Sequence, residues 1–387
     1  MTILEITAVP FTQFHVGGGE RAPSELMIEL SGKEDVIGCY SMLPSDTFKF
    51  DRHFAVPATF ISLPPFVSIH NPLPNFHSID SIGEFLRANG DNIEFIHIHN
   101  LRTAMSTTWI LLSGLMKSSY HYKIILTDHL ARFFPFPKLT AHFVDYYAAV
   151  SVVSEHQLQS YAKRPSMILP PAVSQSYVAK CKFLPFEERV IDLLFFGRIL
   201  PQKRPEIIVD FTEELVNRGH RDIAVVIAGK DDDTKYLHDI EKMISRKGLE
   251  SNIQIIRNPS DEDAITLFSS AKMHVLFSGS VDAYGKKRRH PELAPFTIIE
   301  AATAGTPSLV SDFPGSDEQV INGITGYIIA ENDRESAVSC IEKTINDREV
   351  WNAMASSARE FVLSERTFPV VTKKFIQFLD RIRNGEL

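Results

Sequence analysis

The chain has 387 residues, of which 44% are hydrophobic and 23% are charged, values typical of globular proteins. This length exceeds one ordinary core and predicts two domains of about 180–200 residues. The formal net charge of −8 argues against a protein that coats nucleic acid, which would be basic, so no nucleic-acid partner is expected. Three scattered cysteines without paired spacing predict reduced thiols and a cytoplasmic protein.

The order of predicted elements in the first half is typical of an α/β sheet. Apolar strand patterns alternate with helical ones, which indicates a parallel sheet covered by helices on both faces. The predicted strands cover residues 3–9, 36–39, 59–63, 95–98, 123–127, 148–153 and 166–169, and the predicted helices cover 21–31, 81–89 and 106–116. None of these stretches has the roughly 20 apolar residues of a membrane span, and residues 1–9 do not resemble a signal peptide.

A proline-containing, poorly periodic stretch, residues 170–188, predicts an interdomain linker. The alternation then restarts, with strands over 191–196, 224–228, 253–256, 273–277, 308–311 and 326–329. Helices are predicted over 207–217, 236–247, 264–269, 297–304, 335–346, 348–363 and 372–383. We therefore expect an N-terminal Rossmann-like domain over 1–180, completed by a C-terminal helix at about 370–387, and a second Rossmann-like domain over 188–369. Two doubly wound sheets in series would face a central cleft, lined by the loops that follow the strands.

Two cations follow the first strand of the second half immediately. They are Arg198 and Lys203, in the segment Gly197-Arg198-Ile199-Leu200-Pro201-Gln202-Lys203. At the carboxyl end of a parallel strand, such cations can hold a diphosphate and neutralise it as it leaves. Two solvated charges beside a turn are the alternative interpretation.

Two glutamates, Glu292 and Glu300, stand eight residues apart around a predicted helix start. We expect Glu300 to lie near the first turn, where the helix dipole favours a carboxylate that can accept hydrogen bonds from ribose hydroxyls. The backbone N–H groups at Phe296 and Thr297 would form a helix N-terminus directed at an anion. An ordinary acidic residue near a helix cap is the alternative for Glu300.

A glycine run, Gly17, Gly18 and Gly19, comes between the first predicted strand and the first helix and is followed by Glu20. Glycines let a backbone approach a phosphate closely, although a flexible turn would have the same composition. Taken together, the three elements resemble glycosyltransferase family 4 of the GT-B class in order, spacing and placement. That family shows a GG-x-E-x loop, a G-R-x-x-x-x-K segment and an E-x7-E motif.

The resemblance implies a role for each motif residue. Arg198 and Lys203 would bind the donor diphosphate, Glu300 the ribose, and Glu292 the donor sugar. The segment 127–129 looks like the family's T-x-H, whose histidine, here His129, would face the donor sugar. The family's enzymes transfer with retention of anomeric configuration. The residues assigned to catalysis are Arg198, Lys203, Glu292 and His129, and those assigned to donor binding are Gly17, Gly18, Gly19, Phe296, Thr297 and Glu300.

The sequence departs from the family around the first glutamate of the E-x7-E motif, where the preceding segment, residues 278–291, is also longer than expected. The family's Glu-x-Phe-Gly reads Glu292-Leu293-Ala294-Pro295 here, and a proline cannot donate an N–H where a glycine normally permits close approach. The preceding segment also contains a basic run, Lys286, Lys287, Arg288 and Arg289, which would bind a phosphorylated acceptor or an anionic membrane, or simply be solvated.

Two further groups suggest other chemistry. Asp231, Asp232 and Asp233 contain an Asp-x-Asp that metal-dependent transferases share, but an N-capping acidic turn explains it as well. His97 and His99 share one face of a strand that ends at Asn100, and we expect them to contact an acceptor, or to be an ordinary strand-end pair. A metal site there would need another ligand, which the pattern does not supply.

The sequence thus predicts a retaining, metal-independent hexosyltransferase without a cofactor. Its donor would be a nucleoside diphosphate sugar, UDP first and GDP second, and its acceptor a sugar or a lipid-linked glycan. It would be cytoplasmic, and any contact with the membrane would be peripheral, at the inner face. The alternatives are a GT-B nucleotide-sugar epimerase, which would release nucleotide without an acceptor, and a non-catalytic sugar-nucleotide-binding protein.

Overall fold

The structure is a computed structural model that describes residues 2–7, 18–40, 59–62, 76–100, 103–129, 137–287 and 292–387. The chain divides into two compact units. The first unit comprises Met1–Pro171 and Phe368–Leu387, and the second comprises Ala172–Thr367. The N-terminal segment of the first unit therefore ends at Pro171, earlier than the expected residue 180. The C-terminal helix belongs to the first unit, as the sequence predicts.

The first unit is built on a seven-stranded parallel sheet with the order β3-β2-β1-β4-β5-β6-β7. Its central strands are buried because helices cover both faces, so they are almost continuously apolar. The strands are β1 Thr2–Thr7, β2 Asp35–Tyr40, β3 Thr59–Ser62, β4 Ile93–Asn100, β5 Lys123–Asp128, β6 Tyr146–Ala149 and β7 Ser166–Ile168.

Six helices accompany this sheet. They are α1 Gly18–Ser31, α2 Phe76–Asn89, α3 Thr103–Met116, α4 Pro137–Phe143, α5 Val152–Gln159 and, from the end of the chain, α13 Phe368–Arg383. Helix α3 is apolar around most of its circumference, and its Trp109 is fully buried in the core against Phe85. The expected strand over 148–153 is wrong beyond Ala149. Ser151 instead accepts the backbone N–H of Ser154 and begins α5.

The second unit is built on a six-stranded parallel sheet with the order β10-β9-β8-β11-β12-β13. Its strands are β8 Ile191–Phe196, β9 Val225–Gly229, β10 Ile253–Arg257, β11 Ala271–Leu276, β12 Ser308–Ser311 and β13 Gly326–Ile329. Its helices are α6 Gln175–Lys180, α7 Glu206–Asn217, α8 Thr234–Lys247, α9 Asp261–Ser270, α10 Phe296–Thr303, α11 Arg334–Asn346 and α12 Arg348–Glu365.

The helix boundaries of the second unit follow from local capping. Asp233 accepts the N–H of Tyr236 at the start of α8, and Gly248 ends that helix with a φ of 65°. Ser260 and Asp263 form a reciprocal capping box at the start of α9. The predicted linker over 170–188 is only partly irregular, because Ser174 caps α6 within it.

Candidate functional site

The loops after β8 and β9 in the second unit are held against each other by two glycines. A Cβ atom on Gly229 would lie only 1.6 Å from the carbonyl oxygen of Gly197, so no other residue fits there without a shift of the backbone. This close approach brings Arg198, which follows β8, to the acidic turn after β9. Arg198 Nε donates to Asp232 Oδ2 at 2.5 Å.

Each of the three carboxylates of the acidic turn therefore has a partner in the protein, and Asp231 Oδ2 lies 3.7 Å from Arg257 Nη1. Asp232 pairs with Arg198 and with Lys230, whose Nζ lies 3.4 Å from Oδ1. Burial alone would raise the pKa of Asp232, but these two cations lower it below its usual value. Asp233 caps α8, as the capping interpretation of the sequence predicts.

Lys203 and Glu292 form an ion pair in the second unit. Lys203 Nζ donates to Glu292 Oε1, and the Ser278 hydroxyl, just after β11, donates to the same oxygen at 2.7 Å. Both charged side chains are largely buried, with exposed fractions of 18% and 9%. The pair joins the G-R-x-x-x-x-K segment to the first glutamate of the E-x7-E motif across 89 residues of sequence.

Helix α10 begins at Phe296 and Thr297, and its N-cap position is Pro295, which makes no side-chain cap. The first backbone N–H groups of the helix therefore have no cap from that side chain. Glu300 is half-buried, but it lies beyond the first turn, which contains no acidic residue. The expectation that the carboxylate sits in the first turn is thus wrong. Glu300 is close enough to raise the pKa of the Cys181 thiol, although burial is the larger cause of that shift.

The glycine run and the basic run are described only in part. Gly18 and Gly19 are the first residues of α1, so they form a helix N-terminus and not a loop before it. Lys286 and Lys287 are exposed in a short turn, in which Val281 bridges to Lys287 and the Asp282 carboxylate accepts the Lys286 N–H at 2.9 Å. Gly17, Arg288 and Arg289 lie outside the described residues.

The first unit contains a buried polar cluster, hereafter the histidine cluster, of Glu5, His97, His99, Thr127 and His129. Glu5 Oε1 is 3.0 Å from His97 Nδ1, and Glu5 Oε2 is 2.9 Å from His99 Nε2. His97 Nε2 continues to the Thr127 hydroxyl at 2.8 Å, and His99 Nδ1 to His129 Nε2 at 3.0 Å. These four contacts are all at hydrogen-bond distance.

Strand register builds this cluster. Glu5 on β1 is the direct partner of His97 on β4, and His99 is the partner of Thr127 on β5. His129 follows β5, and the ring of Phe375 from α13 packs 5.0 Å from the ring of His97. Three central strands and the C-terminal helix thus hold the polar atoms in place.

Burial and neighbouring charge shift several pKa values in the cluster. Burial alone would raise the pKa of Glu5, but His97 and His99 outweigh it and lower the value to about 2. Burial lowers the pKa of His99 to about 4, and it lowers that of His129 well below the usual range. At neutral pH the cluster therefore contains a carboxylate and neutral imidazoles at positions 99 and 129.

The expected acceptor role of His97 and His99 does not match their placement. Their exposed fractions are 0% and 1%, so neither side chain is presented to a ligand. Asn100 ends β4, but its side chain is outside the described part of the chain. Glu5 supplies the third ligand-type side chain that the sequence pattern did not, since one ligand atom from each of Glu5, His97 and His99 lies within 4.8 Å of the other two. Each of these atoms already has a hydrogen-bond partner, so the cluster is satisfied without an ion.

The chain matches one known protein family over part of its length. Residues 180–361 match the family model "Glycosyl transferases group 1", and that range lies within the second unit. The match therefore falls on the unit that contains Arg198, Lys203, Glu292 and Glu300.

Two relatives extend this match. An alpha-D-kanosaminyltransferase of Streptomyces kanamyceticus is 29% identical over 166 residues, which is 43% of this chain and 39% of that protein. A putative glycosyltransferase of Bacillus subtilis, YtcC, is 25% identical over 334 residues, or 78% of this chain and 75% of that one. The chain thus spans well under half of the first relative and three quarters of the second. These matches support a glycosyltransferase.

Solved structures share the whole fold. The chain matches Anabaena Alr3699/HepE, crystallised with UDP and glucose, at a TM-score of 0.72 and 14% identity, over 98% of this chain and 99% of that one. It matches a sucrose-phosphate synthase of Thermosynechococcus elongatus at a TM-score of 0.73 and 14% identity, over all of both chains. The fold is therefore α/β with two Rossmann-like sheets, the GT-B architecture.

Sequence reasoning missed three partners that complete these groups. Asp232, Ser278 and Glu5 each contact a predicted site residue. For Glu5 a signal existed, because a glutamate stands in the middle of an otherwise apolar strand, where an unpaired carboxylate would be costly. No local signal marks Ser278.

Proposed function

We propose that the protein is a retaining glycosyltransferase that moves a hexosyl unit from a nucleoside diphosphate sugar to a sugar or a lipid-linked glycan. The observation that carries this proposal is the ion pair between Lys203 and Glu292, with Ser278 on the same carboxylate. It brings a cation suited to a leaving diphosphate next to a carboxylate suited to sugar hydroxyls. The two motifs that provide these groups lie far apart in sequence and meet at β8 and β11.

The leaving group builds negative charge during transfer, so cations must be available to it. Arg198 and Lys203 are both paired with carboxylates in the second unit. A diphosphate would compete with Asp232 for Arg198, which is 56% exposed, more easily than with Glu292 for the largely buried Lys203. We therefore assign Arg198 to capture of the donor and Lys203 to its positioning against the sugar. The N-terminus of α10 at Phe296 and Thr297, together with Glu300, would complete the nucleotide site.

The donor would be a UDP-sugar. Support comes from the Anabaena structures of the same fold, which were determined with UDP, with UDP and glucose, and with UDP-glucose. The proposed chemistry needs no metal, because arginine, lysine and a helix N-terminus neutralise the diphosphate and because Asp232 and Asp233 already have protein partners. Contact with a lipid-linked acceptor would be peripheral. Among the described residues no helix is long and apolar enough to cross a bilayer.

A thermal-unfolding screen with UDP-, GDP- and ADP-sugars tests the donor first. A ligand that binds the folded state at 100 times its Kd raises the unfolding free energy by about 2.7 kcal/mol. The nucleotide sugar that stabilises the folded protein most is then incubated with candidate acceptors, with and without EDTA. We expect acceptor-dependent release of nucleotide that survives EDTA. Release without an acceptor would indicate an epimerase, and loss in EDTA restored by Mn²⁺ would contradict metal independence.

A further inference from the structure

The histidine cluster orders protons as well as side chains, and this order follows from counting donors and acceptors. A carboxylate only accepts hydrogen bonds, so Glu5 requires N–H groups at His97 Nδ1 and at His99 Nε2. A neutral imidazole has one N–H. His99 Nδ1 is then a bare acceptor, and its contact with His129 Nε2 at 3.0 Å requires that His129 be the donor.

The same count of donors and acceptors applies to His129, where the series of hydrogen bonds ends. Because the proton of His129 resides on Nε2, its Nδ1 carries a lone pair. His129 is half-buried, whereas Glu5, His97 and His99 are buried, so it is the histidine of the cluster that retains exposure. A bare ring nitrogen accepts a hydrogen bond from a hydroxyl and repels a phosphate oxygen or a carboxylate.

We propose that Glu5 and His99 are positioning residues that fix His129 in the Nε2–H tautomer, so that its Nδ1 receives a hydroxyl group of the sugar substrates. This inference rests on the proposed glycosyl transfer, to which it adds the ligand chemistry at His129. In this arrangement His129 accepts a hydrogen bond from a substrate hydroxyl and does not bind the diphosphate. His97 and Thr127 form the other branch of the cluster, and that branch holds Glu5 without leading to His129.

A matched pair of variants separates this role from simple core packing. His99→Gln places an amide N–H2 where His99 Nε2 stood, so Glu5 stays satisfied while His129 Nε2 loses its acceptor. His99→Asn is shorter and places its amide where His99 Nδ1 stood. The negative Glu5 carboxylate turns the Asn N–H2 towards itself and the Asn oxygen towards His129, so the tautomer of His129 is retained while Glu5 loses its close donor.

The less stable of the two variants should therefore be the more active one. We expect His99→Asn to unfold at the lower temperature, because it leaves a buried carboxylate with an incomplete hydrogen-bond set. We expect His99→Gln to have the lower kcat, by about 10-fold relative to the wild type, because mixed tautomers of His129 weaken its hydrogen bond to the substrate hydroxyl. A purely structural role predicts that activity follows stability, with His99→Asn the poorer enzyme.

The tautomer itself can be read directly. Protein labelled with ¹⁵N at its 14 histidines gives separate signals for protonated and bare ring nitrogens, and a His129→Asn spectrum identifies His129. We expect Nε2 protonated and Nδ1 bare at neutral pH in the wild type and in His99→Asn, and mixed tautomers in His99→Gln.

Three results would overturn the inference: a protonated Nδ1 on wild-type His129, activity that tracks stability across the pair, or a stoichiometric metal ion bound to Glu5, His97 and His99 in the purified protein. The spectra need no turnover, so the hydrogen-bond chain and the proposed transfer can fail separately. A correct tautomer in a protein without transferase activity would reject the function alone.

Discussion

The donor-side residues of the second unit and the histidine cluster of the first unit are built in different ways. Arg198, Lys203 and Glu292 lie on loops after strands or before a helix, and their partners are loop carboxylates and a hydroxyl. The cluster lies on strand interiors, where Glu5 and His97 are paired by sheet register and almost no surface is exposed. Loop groups can release one partner for another, whereas groups locked between strands can only set the protonation of a neighbour.

The largest expected effect is on catalysis at the loop cations. Lys203→Ala and Arg198→Ala should each lower the rate of sugar transfer by about 10² or more, because each acts on the leaving diphosphate. The exposed Arg221, outside both motifs, provides a matched control as Arg221→Ala. Steady-state kinetics measure the effect. Wild-type turnover in both cation variants would show that neither Arg198 nor Lys203 acts on the diphosphate, and the comparison with the histidine cluster would fail.

The next effect belongs to the histidine cluster and concerns stability. The pKa of His99 is about 4 in the folded protein and about 6.5 when unfolded, so the unfolded chain takes up a proton first as the pH falls. Stability should therefore decline between pH 6.5 and 4, by about 2 kcal/mol from pH 7 to pH 5 for this group. Denaturant unfolding at the two pH values measures the decline, which should be smaller in His99→Gln. Equal declines in both proteins would show that the buried imidazole titrates normally.

Glu300 tests whether the second unit binds nucleotide through α10. Glu300→Ala should weaken binding of UDP by about 10-fold, as expected when a charged hydrogen bond to ribose is lost. Glu300→Gln should weaken it less, since the amide keeps one acceptor. Calorimetric titration with UDP measures the affinities. If both variants bind UDP like the wild type, the ribose lies elsewhere.

The smallest effect tests whether loop partners really exchange. Asp232→Asn removes the carboxylate that competes for Arg198, so UDP-sugar affinity should rise by a few fold, within the range of about 0.2–1 kcal/mol for exposed ion pairs. The gain should shrink in high salt, which screens such pairs. An unchanged or lower affinity would mean that Asp232 supports the donor site and does not compete for it.

Most of the fold is predictable because periodicity reports it directly. The strands β8, β12 and β13 have the predicted limits, since apolar runs bounded by turn residues define them. The strand expected to run to Val153 fails because the N-cap at Ser151 overrides the β-branched residues that follow it. The linker fails in part because a serine cap begins α6 between prolines.

The candidate site is less predictable because its contacts are long-range. The spacing of Glu292 and Glu300 is visible in the sequence, but the Lys203–Glu292 pair depends on the order of β8 and β11 in the sheet. The partnership of Glu5 with two histidines more than 90 residues away depends on sheet register, which a single sequence does not give. The burial of His97 and His99 follows from the same register.

Helix α13 has a consequence for how the molecule is made. Its Phe375 covers His97, and its Arg383 forms ion pairs with Glu34 and Glu94, so the last helix seals the unit that the first residues begin. During synthesis the whole second unit emerges from the ribosome before this helix does. The N-terminal sheet therefore lacks the helix that packs on His97 until residues 368–383 have been synthesised, and the second unit has the opportunity to fold first.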